Sequence, residues 1–596
     1  MSVLDRIERL RNVMEQQKID CYIIPTDDYH HSEYVGDYFK FREYITGFTG
    51  SAGTAVFTKD KAGLWTDGRY FIQAEAQLKG SGITLYKSGE SDVPTIEEFL
   101  KSELKEGDVL GFDGRTVTYA QGKRYCHIAD ENGASLKYSL DFAQNIWKER
   151  PEMSMEPVFS LEDEYTGEKI GSKLERIREI MKENGCNAHV LSSLDDIAWL
   201  LNIRGNDIAY CPLVLSYAIV YNNSVELFAD IRKFSDDIIN LLAENQVKIY
   251  PYEDIYRKVS EMTSEDKLLL DSAIMNYSLY QAISKETVIV DKQNPEILMK
   301  SVKNETQAEN LRKAHLKDAV AHTKFMYWLK KNIGRVEITE LSASARLEGL
   351  RAEQEHFLGP SFGPISAYGE HGAIVHYSAD EKSNVPLKEG KLFMTDTGGH
   401  YLEGSTDITR TVALGEVGNI EKEHFTLVAR AMLRLANTVF LYGCSGANLD
   451  CIAREVFWKE GLNFNHGTGH GVGYLLNIHE GPINFRWKEG ERPAPALEEN
   501  MVITDEPGIY IEGSHGIRLE NELLVRKTVK NEYGQFMNFE ILTYVPIDLD
   551  AILPEKMNTE EKEMLNHYHK QVYEKVSPYL SEEERIWLKE YTRAVK

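Results

Sequence analysis

Helical and strand-like periods alternate along this chain in a pattern that repeats. Residues 1–10 are charged and amphipathic and predict a helix; the apolar run Cys21-Tyr22-Ile23-Ile24-Pro25 predicts a strand, as does Ala55-Val56-Phe57. After a linker expected at about 150–154 the theme returns. A helix is predicted over 170–184, a strand at His189-Val190-Leu191, and strands at Tyr217-Ala218-Ile219-Val220 and Val225-Glu226-Leu227-Phe228. A weak echo, Ile45-Thr46-Gly47 against Ile203-Arg204-Gly205, each ahead of a strand pair, points to a duplicated α/β domain. A third region starts near 296–300 with a long helix expected over 305–331, and from about 553 the chain reads as terminal helices with a break at Pro578. The expected organisation is α/β (α+β) in three domains, 1–150, 151–300 and 301–596, the last ending in a helical extension over about 550–596.

In the third region the strand patterns carry acids at their ends. Asp396 ends the run Leu392-Phe393-Met394-Thr395-Asp396, and Thr397-Gly398-Gly399 then predicts a turn. Asp407, eleven positions later, opens Asp407-Ile408-Thr409-Arg410-Thr411-Val412, whose alternation predicts the returning strand, so the two aspartates could face each other across a hairpin. Glu506 closes Met501-Val502-Ile503-Thr504-Asp505-Glu506 ahead of Pro507-Gly508. Glu520 lies in Gly516-Ile517-Arg518-Leu519-Glu520-Asn521, where period 2 puts Arg518 and Glu520 on one face. His470 sits among glycines in Gly467-Thr468-Gly469-His470-Gly471-Val472-Gly473, where backbone can pass close to an ion. Four ionised carboxylates carry the charge that two divalent cations neutralise, whereas unpaired in a dry site they would shift their pKa values and take up protons. The set therefore suggests a two-metal hydrolytic centre. A lone acid at a strand end is usually a turn or cap residue; it is the five together that carry the reading.

Composition narrows the field. The chain has 596 residues, 42% hydrophobic and 27% charged, which is globular and long enough for about three to four cores. A net charge of −26 argues against nucleic-acid or anionic-membrane binding, both of which need basic patches. The six cysteines show no Cys-x-x-Cys pair, no signal peptide is visible and no apolar run approaches membrane-spanning length, so a reducing, cytoplasmic setting is expected. Gly47-Phe48-Thr49-Gly50-Ser51-Ala52-Gly53 lacks the Gly-Lys-Ser/Thr ending of a phosphate loop, and there is no Gly-x-Ser-x-Gly elbow. His567 and His569, two apart on an expected helix, point to different sides and make poor joint ligands.

The acid-bearing segments resemble the pita-bread metallopeptidases, and the whole chain is similar to three-domain, cytosolic-type Xaa-Pro aminopeptidases (the aminopeptidase P family, M24B). Besides the segments above, the resemblance covers Gly372-Ala373-Ile374-Val375-His376-Tyr377-Ser378, His466-Gly467-Thr468-Gly469-His470 and His479-Glu480-Gly481-Pro482. Upstream it covers Ser51-Ala52-Gly53-Thr54-Ala55, Trp65-Thr66-Asp67-Gly68-Arg69-Tyr70 and Leu194-Asp195-Asp196-Ile197-Ala198-Trp199, which look like two creatinase-like domains. The segment 486–495 looks variable in this family.

What the resemblance implies is specific. Asp407 and Glu520 would bridge two ions, with Asp396 on one and His470 and Glu506 on the other; Mn²⁺ is the implied metal, although Zn²⁺ or Co²⁺ would fit the same donors. Glu506 would also shuttle the proton of the attacking water, His376 would stabilise the oxyanion and His479 would line the proline ring. These three are the implied catalytic residues, and His466, Arg518, Tyr510 and Arg69 join His376 and His479 as implied substrate contacts. For an isolated histidine or arginine among these, a satisfied structural role is the ordinary reading. The implied substrates are peptides with proline second. A homodimer is expected through the catalytic domain, resting on resemblance and on the apolar Leu565, Val572, Leu580, Trp587 and Leu588 of the terminal helices. Three other readings stand beside this one: a dipeptide-restricted prolidase, creatinase-like chemistry without metal, and a non-enzymatic peptide-binding module of the same fold.

Overall fold

The computed structural model describes residues 1–488, 490 and 492–596, so Glu489 and Glu491, within the segment 486–495, lie outside the described residues. The chain divides into two compact units, the first formed by Met1–Leu161 with Glu168–Glu296 and the second by Glu162–Gly167 with Ile297–Lys596.

The first unit holds two six-stranded sheets of one design. Across the first sheet the strands run Thr84–Lys87, Ala62–Thr66, Thr54–Thr58, Cys21–Pro25, Val109–Phe112, Ser135–Lys137. Across the second they run Val247–Tyr250, Val225–Phe228, Tyr217–Tyr221, Ala188–Leu191, Lys267–Leu270, Val288–Asp291. Chain order and strand direction agree at every step. In each sheet the first strand pairs antiparallel with the second in sequence and parallel with the fifth, and the third and fourth are parallel. This is the duplication that the echo at Ile45 and Ile203 hinted at. The central strands are buried along their length because helices cover both faces, which is why they read as continuous apolar runs. The predicted helix over 170–184 is Ile170–Glu183, and residues 150–157 carry no regular structure.

The two sheets of the second unit that carry the candidate ligands each follow a pair of helices. Helices Glu305–Asn332 and Glu340–Ala352 precede a three-stranded sheet of Ile365–Tyr368, Lys391–Thr397 and Ile408–Leu414. Helices Asn419–Ala436 and Gly446–Trp458 precede most of a six-stranded sheet whose inner strands include Gly469–Val472, Val502–Asp505 and Asn521–Asn531. The long helix starts where the sequence says it should: Asn304 caps it and Gln307 returns the bond to the Asn304 backbone.

Two expectations are corrected here. The run Gly516–Asn521 is not one strand: His515–Arg518 and Asn521–Asn531 are separate, and Leu519-Glu520 lies between them without regular structure. The terminal helices Thr559–Val576 and Glu582–Tyr591 do not offer Leu565, Val572, Leu580 and Leu588 to a partner. Those four side chains belong to the chain's own core, with Trp587 packed against it, so the apolar stripe is consumed within the subunit.

Candidate metal centre

Each candidate ligand lies in or beside the buried end of a strand. Lys391–Thr397 and Ile408–Leu414 pair antiparallel with Asp396 opposite Thr409, leaving Asp407 just beyond the ladder. The connection between them is longer than a tight hairpin, because Gly399–Tyr401 and Gly404–Ser405 form an excursion of their own. At Gly398 the two arms come so close that a Cβ would sit 1.8 Å from the Thr406 carbonyl oxygen, so only glycine fits. The alternation read in Asp407–Val412 does not expose its polar positions. Thr409, Arg410 and Thr411 are buried, and the fully buried Arg410 donates to the carbonyl oxygens of Glu520 and Val545 and to Tyr568. That guanidinium fixes the segment carrying Glu520, while Thr409 Oγ1 donates to Glu520 Oε2 at 2.7 Å.

The five predicted ligands come together. Asp396, Asp407 and Glu520 offer oxygens within 4.8 Å of one another, as do His470, Glu506 and Glu520 with their nitrogen and oxygens. His470 Nε2 lies 3.5 Å from Asp407 Oδ2 and 3.8 Å from Glu506 Oε1. Its Nδ1 is 2.9 Å from the Gly471 carbonyl oxygen, which accepts the Nδ1–H and leaves the Nε2 lone pair facing the cluster. Burial pushes the Asp407 and Glu520 carboxyls well above the usual range, and neighbouring negative charges push them further. Glu506 is raised too, by burial, against the pull of His470 and Arg518. Divalent cations fit this donor set. The groups are hard oxygens with one imidazole, and Asp396 Oδ1 is buried with no hydrogen-bond partner.

Around the cluster lie most of the other predicted residues. Arg518 bonds Asp396 Oδ2 and donates to Tyr510 Oη at 2.7 Å; Tyr510 in turn is 2.8 Å from His466 Nε2, whose Nδ1 donates to the Gly467 carbonyl at 2.7 Å. Burial lowers His466 to about 3, with Arg518 adding to the effect, so this ring stays neutral and accepts from Tyr510. His479 stands edge-on to His470 with ring centroids 4.2 Å apart, close enough to belong to a third ligand group with Asp407 and His470. His376 follows Val375, whose carbonyl oxygen is 3.5 Å from Arg518 Nη2. The segment leading to it is pressed onto strand His515–Arg518, where a Cβ on Gly516 would meet the Gly372 carbonyl oxygen at 1.7 Å. Arg69 lies in the first unit, forked onto Asp67 at 2.9 and 2.8 Å.

Sequence reading missed the residues behind the cluster: His315, Asp318, Arg351 and Glu522. Glu522 continues the period-2 series of Arg518 and Glu520, and His315 and Asp318 are polar positions one helical turn apart on the buried face of the long helix, so a signal existed for each.

Comparison with known proteins agrees with this geometry. Residues 6–137 and 149–307 each match the creatinase/prolidase N-terminal domain, 309–527 match metallopeptidase family M24, and 535–595 match the C-terminal region of that peptidase family. Aminopeptidase P1 of Arabidopsis thaliana is 35% identical over 99% of both chains. Xaa-Pro aminopeptidase 1 of Dictyostelium discoideum is 36% identical over 97% of this chain and 94% of its own. The X-prolyl aminopeptidase of Caenorhabditis elegans, described as a cytosolic enzyme with a dinuclear active site, superposes with a TM-score of 0.95 at 33% identity over the full length of both. The Xaa-Pro dipeptidase of Bacillus anthracis shares the fold over only 64% of this chain, at a TM-score of 0.51 and 24% identity. Full-length similarity of this order, together with the creatinase-like and M24 matches, means that the chain belongs to the Xaa-Pro aminopeptidases of metallopeptidase family M24.

Proposed function

We propose that this protein is a metal-dependent aminopeptidase that hydrolyses the N-terminal Xaa-Pro bond of peptides, with residues 1–150 and 151–300 as two creatinase-like domains and 301–596 as the catalytic one. The observation that carries the reading is the convergence of Asp396, Asp407, His470, Glu506 and Glu520, with Asp407 and Glu520 each belonging to two ligand groups. Those two would bridge a pair of cations, Asp396 would hold one, and His470 and Glu506 the other. Two divalent cations, Mn²⁺ in our assignment, would lower the pKa of a shared water and polarise the scissile carbonyl. Glu506 takes the water's proton and returns it to the proline nitrogen as the C–N bond breaks. His376 donates to the developing oxyanion. His479 lines the proline ring, and Tyr510, oriented by His466 and Arg518, closes the same wall. Proline has no N–H and a fixed φ, so a wall shaped to the ring admits what most peptidases reject. Arg69 is proposed as a further substrate contact on the family resemblance alone.

Among the described residues no helix is long and apolar enough to cross a membrane, and we place the enzyme in the cytoplasm, where its C. elegans relative is described. We propose that it works as a homodimer. With the terminal helices turned inward, the support for this reading is the family resemblance, and light scattering at micromolar concentration tests it: a monomeric mass overturns it. The deciding assay offers Xaa-Pro-Yaa, Xaa-Ala-Yaa and Xaa-Pro peptides to the Mn²⁺-loaded chain. Release of the first residue from the first alone is expected; equal cleavage of the alanine peptide, or cleavage of the dipeptide only, overturns the assignment.

A further inference from the structure

Behind the cluster, away from the ligand atoms, five polar side chains (Asp318, Arg351 and Thr406 in one group, Glu522 and His315 in another) are buried. The long helix Glu305–Asn332 presents His315 and Asp318 from one face, both fully buried. Asp318 Oδ1 accepts from Arg351 Nε at 2.7 Å, and Arg351 Nη2 reaches the carbonyl oxygen of Thr397, the residue after Asp396, at 3.1 Å. The other Asp318 oxygen accepts the hydroxyl of Thr406, the residue before Asp407. That same Thr406 hydroxyl oxygen accepts the Gly399 N–H at 2.9 Å. One carboxylate thus grips both arms that carry the paired aspartates. A second grip comes from Glu522, whose Oε1 accepts the Asp407 N–H at 2.7 Å; its Oε2 approaches His315 Nε2 to 3.1 Å but makes no hydrogen bond with it.

We infer that Asp318, through Arg351 and Thr406, and Glu522, through the Asp407 N–H, are positioning residues that set the separation of Asp396 and Asp407 and thereby the affinity of the site for its second cation. The inference rests on the two-metal reading above. A bridging carboxylate must meet two ions at once, so a small drift of the Asp407 backbone degrades both contacts. Outer partners of metal ligands typically contribute about 10- to 100-fold in metal affinity. A core filler would not need an ion pair and two charge-assisted bonds, and a buried pair costs desolvation that apolar packing avoids.

The variant that isolates the grip is Thr406→Val, which keeps shape and β-branching and deletes the hydroxyl, with Thr406→Ser as the conservative rescue. Asp318→Asn extends the test to the helix. Full-length metal-free protein is titrated with Mn²⁺ by calorimetry, with far-ultraviolet circular dichroism and thermal melting to check the fold. Expected is a parent stoichiometry of two, and in Thr406→Val a second-site dissociation constant weakened at least tenfold with a native spectrum, restored in Thr406→Ser. The same weakening in Asp318→Asn, again with a native spectrum, supports the route through the helix. If Thr406→Val binds both ions as the parent does, the inference is overturned and the two-metal reading stands. A parent that takes up only one ion overturns that reading and the inference together.

Discussion

Buried charge is handled in opposite ways in the first unit and at the acidic cluster of the second, whose other buried charges, such as Asp318 with Arg351, are paired. In the first, anions and cations are matched in place: Lys233 is bonded to Asp207, and His189 lies 3.2 Å from Glu296, each side chain almost wholly buried. Lys173, which burial lowers to about 7, donates to Asn202 Oδ1 and the Trp199 carbonyl at 2.6 and 2.8 Å. In the second, four carboxylates converge with one arginine on Asp396, and the nearest other groups are histidines. A fold that balances charge when charge is structural, yet leaves an excess of acid at one spot, has shaped that spot for something external and positive. The contrast makes a clear forecast: deleting a paired charge in the first unit should cost stability, and deleting one in the acidic cluster of the second should cost chemistry.

The largest effect is expected at Glu506. Glu506→Gln keeps size and shape but removes a ligand charge and the proton carrier, so kcat should fall at least 10³-fold, about 4 kcal/mol or more. Its melting temperature without metal should not drop, because a charge disfavoured by burial has been taken away. Next comes the first unit. Asp207→Asn strands the Lys233 ammonium, and Asp207 also accepts the Leu215 N–H at 2.7 Å, so urea unfolding should show a loss of about 3 kcal/mol. Metal content and kcat should stay at parent values. A Glu506→Gln chain as active as the parent, or an Asp207→Asn chain that is stable but inactive, breaks the comparison. His376→Ala ranks third: about a hundredfold in kcat, or about 2.7 kcal/mol, with both ions retained by metal analysis.

The same contrast explains what could be read from the sequence. The ligands announced themselves because each sits where an apolar strand pattern stops, at Asp396, Asp407 and Glu506, and because acids in such places have few structural excuses. The duplicated first unit was legible only as an echo, since its likeness lies in strand order and direction, which single-sequence patterns do not encode. Asp318 and Arg351 could not be paired from sequence. Thirty-three positions separate them, on two helices, and what joins them is the packing of those helices against the Asp396 arm. The terminal helices misled for the opposite reason. An apolar stripe says that a face is covered, but not by what, and here the subunit's own core covers it.

The smallest effect concerns the second unit's own structural groups, where the rule of the first unit should still hold. His567 and His569 do point apart as expected, His569 being fully buried while His567 is exposed. His569 Nε2 accepts the Ile547 N–H at 3.1 Å, a bond that protonation at this nitrogen would destroy, and burial lowers the ring to about 3, with Arg410 adding to the effect. The folded state therefore takes up this proton only near pH 3, whereas the unfolded chain does so near the ordinary value of about 6.5. Between those values the unfolded state binds more protons, so the contribution is intact above about pH 6.5 and is lost as the pH falls towards 3. From His569 alone the slope is up to about 1.4 kcal/mol per pH unit. His569→Gln, which can still accept through its amide oxygen, should flatten urea-unfolding stability between pH 6.5 and 5 relative to the parent, while leaving metal affinity unchanged. Parallel stability profiles for parent and variant would mean that the ring can be protonated inside the fold, and that the second unit, unlike the first, tolerates an unmatched structural charge.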